Sequence, residues 1–137
     1  HENACIEWVD GNIGSALTMK YPSVILKGEG SHAEIISVAY AKGEQHQDTG
    51  AKVIHSASNT TSNILSKSIS VNGGRTSYRG LVKVSKKAKG CKSNIICDAL
   101  LLDGISRSDT YPTMEIANPE ADIEHEASII LLNESRI

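Results

Sequence analysis

The sequence predicts an all-β fold, a single-stranded parallel β-solenoid of about 30 residues per coil, and three observations predict it. Two series of short apolar runs share one period. Val24, Val53 and Val82 recur every 29 residues and a further step of 31 reaches Thr113, while Ile35-Ile36-Ser37 leads to Ile64-Leu65-Ser66 after 29 and to Ile95-Ile96-Cys97 after 31. Helical i, i+3, i+4 stripes are absent from most of the chain. The core must also be thin, because one Trp, four Tyr and no Phe leave Ile, Leu, Val, Ala and Ser to fill it. A β-sandwich would explain alternating strands but not the common spacing.

Taken in order, residues 4–9 read as a first strand, and Asp10-Gly11-Asn12 as a turn of residues tolerant of positive φ. Residues 15–20 form a weaker strand, which Tyr21-Pro22 breaks. The repeat then begins, with runs at 23–28, 52–57 and 81–85 in one series and 33–39, 62–69 and 93–102 in the other. Turns at 28–30, 58–61, 72–74 and 86–90 separate them, and their lengths vary as solenoid corners do.

Composition excludes several functions. The chain has 137 residues and a net charge of −2, so no basic nucleic-acid surface is expected. The one basic cluster, Lys83, Lys86, Lys87, Lys89 and Lys92, is broken by Ser, Ala and Gly and reads as a solvated turn. Cys5, Cys91 and Cys97 are odd in number and lack C-x-x-C spacing, which argues against a disulfide framework or a self-contained zinc site and for a reducing compartment. No apolar run approaches the length of a membrane span, and residues 1–20 carry no leader pattern, so a soluble intracellular chain is expected. Gly73-Gly74-Arg75 is not a phosphate loop, and Asn59-Thr60-Thr61 matches only the short glycosylation pattern. His32, His46 and His55 do not pair at ligand spacing.

Two features hold candidate chemistry. Adding 31 to Cys97 reaches Ser128, so Ser37, Ser66, Cys97 and Ser128 are expected to stack as one column of small side chains. In that column Cys97 is either an inert packed thiol or a reactive one, and the residues alone leave both open. One coil later comes Glu124-His125-Glu126. If that coil has an odd length, 29 or 31, Glu126 shares the face of Cys97 and His125 points the other way. Thiolate, carboxylate and imidazole form a mixed set that suits iron or zinc; alternatively, Glu-His-Glu is a solvated strand edge.

Longer strings carry a resemblance. Residues 19–30 (MKYPSVILKGEG), 45–52 (QHQDTGAK), 66–70 (SKSIS), 75–82 (RTSYRGLV), 97–102 (CDALLL), 106–112 (SRSDTYP) and 123–127 (IEHEA) together resemble the core domain of the SufB/SufD family of iron–sulfur cluster assembly proteins. The resemblance covers nearly all of residues 6–130. It implies a right-handed parallel β-helix over residues 1–137, cut from a longer protein at both ends, without the segment that docks on an ATPase. It implies a scaffold that is not itself an enzyme, in the cytoplasm or a plastid stroma. Its implied partners are SufD-like and SufC-like subunits and a sulfur donor of the cysteine desulfurase route, with a homo-oligomer expected for the chain alone. Its implied cargo is a nascent iron–sulfur cluster, iron and sulfide, that is not tightly retained. Within it Cys97 matches the cysteine that binds sulfur or the nascent cluster, and Glu126 and His125 match the acidic and imidazole side chains beside it.

Overall fold

The computed structural model describes residues 1–132. Ten strands follow one another: β1 (Cys5–Ile13), β2 (Leu17–Lys20), β3 (Ser23–Leu26), β4 (His32–Lys42), β5 (His46–His55), β6 (Thr61–Val71), β7 (Arg75–Val84), β8 (Lys92–Leu101), β9 (Arg107–Ile116) and β10 (Asp122–Leu131). One sheet runs β1-β4-β6-β8-β10; in the other, β2 and β3 both pair with β5, which continues to β7 and β9. Every pairing is parallel. The chain therefore winds as a β-solenoid, each coil laying one strand on either wall.

Alternation explains which residues fill the space between the walls, since successive side chains point to opposite faces. Ile35, Ile64 and Ile95 stack on one wall and Val24, Val53 and Val82 on the other, meeting in one hydrophobic cluster. Each fully buried aliphatic side chain in these columns contributes about 1.5–3 kcal/mol. Residues between them, such as Lys52, Lys67 and Lys83, face water.

The corners show why the period drifts without breaking register. At one corner Asn3, Gly30, Asn59 and Gly90 all take positive φ, at 55°, 72°, 58° and 67°. Gly and Asn are the residues that tolerate this conformation, and they occupy the same place in four consecutive coils. Successive coils take 27, 29, 31 and 30 residues, because Cys5 lies opposite His32, His32 opposite Thr61, Thr61 opposite Lys92 and Lys92 opposite Asp122.

Two expectations change here. Asp10-Gly11-Asn12 is not a turn but the middle of β1, which stays paired with β4 as far as Ile13 opposite Tyr40. Asn12 supplies the reason: its side-chain amide donates to Asp10 and to the Val38 carbonyl across the strand, so a turn-prone residue is held extended. The reversal comes instead at Gly14 and Ser15, with φ of 84° and 57°. Likewise Val82 lies opposite Met114, one residue beyond Thr113, because the corner before β9 is longer. Among the described residues no helix is long and apolar enough to cross a membrane.

The interior is not wholly apolar. His55 is fully buried, with Nδ1 2.8 Å from Thr60 Oγ1 and Nε2 3.0 Å from Ser62 Oγ, which donates to Ser93 at 2.8 Å. Cys91 closes the group, its sulfur 3.3 Å from Thr60 Oγ1. Burial without a counter-charge lowers the His55 pKa from 6.5 to about 4, so the ring is neutral at physiological pH.

Candidate functional site

Cys97 lies on β8, where Ser93, Ile95 and Cys97 face inward and Asn94 and Ile96 outward. Its neighbour in the preceding coil is Ser66, and Ser66 in turn lies opposite Ser37, as expected. The next coil departs from expectation. Ala127, not Ser128, lies opposite Cys97; His125 is opposite Ile95, and Glu126 opposite Ile96. Ser128 falls beside Asp98 and donates to it at 2.7 Å.

That coil takes 30 residues, an even number, and a one-residue change of register moves every side chain to the opposite face. His125 therefore shares the inner wall with Cys97, and Glu126 points outward. Asn118 sets the length: buried in the corner before β10, it donates to the Lys86 carbonyl at 3.0 Å and accepts from the Glu120 amide at 2.9 Å, holding that corner to five residues. The corner before β8 uses seven.

Cys97 is 6% exposed, and burial, followed by the charge of Asp98, pushes its pKa up to about 12. At neutral pH it is a thiol. Beside it is a cavity of ≈ 20 Å³, lined by Ser66, Ser68, Thr76, Tyr78, Cys97 and Thr110 among others. That volume holds about one water-sized atom. Thr76 Oγ1 lies 3.2 Å from both Ser68 Oγ and Ser70 Oγ and 3.3 Å from Ser108 Oγ, so one end of the cavity is a web of hydroxyls.

Four buried side-chain polar atoms lack any hydrogen-bond partner among the described residues, Asn12 Oδ1, Gln47 Oε1, Tyr78 Oη and His125 Nε2; Tyr78 lines the Cys97 cavity and His125 lies on the strand beside β8. Burial raises the Tyr78 pKa, and the neighbouring Cys97 raises it further, so the phenol keeps its proton. Tyr78 escaped the sequence reading. The signal was there: Thr76, Tyr78 and Gly80 alternate on the inner face opposite the serines of Ser66, Ser68 and Ser70, a polar stripe in a β-helix interior.

The remaining candidates are satisfied or solvated. His32 is bonded to Thr61 and Glu34, and His46 to Ser77. Cys5 is exposed and Cys91 buried in the His55 group, while Lys83, Lys86, Lys87, Lys89 and Lys92 all face solvent. Among the described residues no three His, Cys, Asp or Glu side chains converge as a metal site. The inner wall by itself offers a thiol and an imidazole in adjacent strands, their α-carbons about 8 Å apart by strand geometry.

Residues 1–137 match the family described as SUF system FeS cluster assembly, SufBD core domain. The chain belongs to that family. It is 56% identical over 134 residues to an iron–sulfur cluster assembly SufBD family protein of Mycobacterium leprae, covering 98% of this chain and 15% of that protein. Over 136 residues it is 54% identical to the iron–sulfur cluster assembly protein SufB of Bacillus subtilis, covering 99% of this chain and 29% of the relative. A SufBD family protein of Staphylococcus epidermidis is 53% identical over 137 residues, 100% of this chain and 30% of its own length. This SufBD core domain thus spans less than a third of each of these relatives. The β-solenoid agrees with the resemblance drawn from the sequence, and so does the family.

Proposed function

We propose that this SufBD core domain is part of a scaffold, not an enzyme, for iron–sulfur cluster assembly. In this reading Cys97 accepts sulfur and then anchors iron of the nascent cluster, which is cargo and not a resident cofactor. His125 is the second donor from the inner wall. Glu126, outward on the same strand, is the third proposed donor, and it reaches the same iron only if the edge strand β10 turns. The observation that supports this most is the pairing of a buried thiol with an imidazole whose Nε2 has no partner among the described residues, both on one wall of adjacent strands. Three donors fall short of the four protein ligands that a common cluster takes, so the set must be completed by further groups.

The family match and the likeness to an iron–sulfur cluster assembly protein SufB support a place in the SUF system. The finer assignments go beyond that support and are part of the proposal. SufD-like and SufC-like subunits are the proposed partners, a persulfide from a cysteine desulfurase route is the proposed sulfur source, and the cytoplasm is the proposed setting, or a plastid stroma in a eukaryote. Among the described residues β10 pairs only with β8, and it exposes Ile129, Ile130 and Leu131. A SufD-like chain or a second copy of this one would cover that edge.

A second reading has its own observation. With Cys97 6% exposed and its thiol pushed up to about 12, the chain would be a structural β-helical interaction module with an inert cysteine. Anaerobic reconstitution with ferrous iron and sulfide separates the two. The scaffold reading expects cluster absorbance in the wild-type and Cys5→Ala proteins and at least a tenfold loss in Cys97→Ala, with a partial loss in His125→Ala. Equal spectra for wild type and Cys97→Ala would leave the structural module.

A further inference from the structure

Tyr78 is the buried polar group that the proposed scaffold does not yet use, and three observations converge on it. Its side chain lines the same ≈ 20 Å³ cavity as Cys97, and its hydroxyl has no hydrogen-bond partner among the described residues, although the residue is 6% exposed. An unpaired buried hydroxyl costs free energy, so its retention needs a reason. Gly80, two residues along the same face, makes room for it: a β-carbon built there would lie 2.6 Å from the Tyr78 hydroxyl oxygen. The cavity accommodates one atom of about the size of water, and serine and threonine residues make up most of the rest of its lining, with Ala39, Asp98 and Ala99.

We propose that this cavity is a one-atom pocket for the outer sulfur of a persulfide on Cys97, with Tyr78 the positioning residue whose hydroxyl donates a hydrogen bond to that sulfur. The inference rests on the reading of Cys97 as the sulfur acceptor. The transfer balances without an oxidant or reductant. The sulfur of Cys97, as thiolate, attacks the outer sulfur of a donor persulfide; a new S–S bond forms, the donor's S–S bond breaks, and the donor departs as a thiol carrying the proton that Cys97 gave up. The outer sulfur then bears the negative charge, and the Tyr78 phenol, on the lining of the same cavity, keeps the proton it would donate. The Ser68, Thr76 and Ser108 hydroxyls in the wall are already engaged with one another. The pocket's size limits loading to a single added sulfur.

The test uses the full-length protein, loaded anaerobically with inorganic polysulfide. Peptide mass mapping then gives the sulfur content at Cys97, and cyanide, which strips outer sulfur, gives its lifetime. Tyr78→Phe is expected to melt with the wild type yet lose the Cys97 persulfide about tenfold faster, the effect of one hydrogen bond to a charged atom. Gly80→Ala, which displaces the hydroxyl but keeps it, is expected to behave the same way, and the outward Tyr111→Phe to match wild type. A Tyr78→Phe protein that holds its persulfide as long as wild type overturns the pocket while leaving the scaffold reading intact. So does one that unfolds, because the hydroxyl would then be structural. Wild-type protein that takes no sulfur at Cys97 overturns both.

Discussion

Replacing Gly50 with alanine is expected to lower stability by at least ~4 kcal/mol, or to prevent folding, although alanine is usually a mild exchange in a strand. Gly50 lies in the middle of β5, opposite Arg79 of β7. A β-carbon at Gly50 would fall 1.6 Å from the Arg79 carbonyl oxygen, which is backbone and cannot turn aside. Either β5 or β7 would have to leave the sheet. Arg79 is tied down from the other side as well: its Nε donates to both carboxylate oxygens of Asp48 at 3.1 and 3.0 Å, and its guanidinium stacks 4.6 Å from the Tyr111 ring. Since Tyr78 and Gly80 flank Arg79, the same shift would move the wall of the Cys97 cavity. Urea unfolding checks this. A Gly50→Ala protein within ~1 kcal/mol of wild type would show that β5 and β7 are not in this contact.

Acidification from pH 7 to pH 4.5 is expected to remove roughly 2–3 kcal/mol through His55 alone. The sign follows from the two states. Above pH 6.5 the ring is neutral whether the chain is folded or not, and the contribution is complete. Between 6.5 and about 4 the unfolded chain takes a proton that the folded one refuses, so stability falls with pH across that window. The groups around the ring are Leu26 and Val84 in the neighbouring strands and Thr60, Ser62 and Cys91 across the corner; none is a carboxylate that would hold the charged form. Asp10, Glu34 and Asp103 also have lowered pKa values, but their losses begin near 4.5 and below, which separates them from His55. Urea midpoints across this range should fall for wild type and flatten for His55→Gln. An unchanged midpoint in wild type between pH 6.5 and 5 would mean that the ring is solvated.

The repeat was legible because apolar columns need the same residue type in each coil: Ile35, Ile64 and Ile95 had to match, and they do. Turn chemistry was legible at Gly30, Asn59, Asn72 and Gly90 for the same reason. What misled was a polar residue doing two jobs. Asp10 and Asn12 look like turn formers, yet their side chains bind across β1 and β4. Ser128 looked like the next member of a serine column, but the column continues through Ala127, which is equally small. Spacing alone could not choose between 30 and 31, because that depends on how tightly Asn118 closes a corner, and the choice decides whether His125 or Glu126 faces the sulfur. Tyr78 was hidden in a string that reads as an ordinary strand. Only the stacking of coils brings it to the cavity beside Cys97.

That placement is tested most directly by oxidative cross-linking of cysteine pairs. Ala127→Cys would sit opposite Cys97 on the inner wall, at a separation a disulfide spans, and mild oxidation should join the two in most molecules, seen as linked peptides by mass spectrometry. Ser128→Cys points outward beside Asp98 and should leave Cys97 free. Linkage through position 128 and not 127 would mean a coil of 31 residues, would put Glu126 on the sulfur's wall in place of His125, and would contradict the site as described.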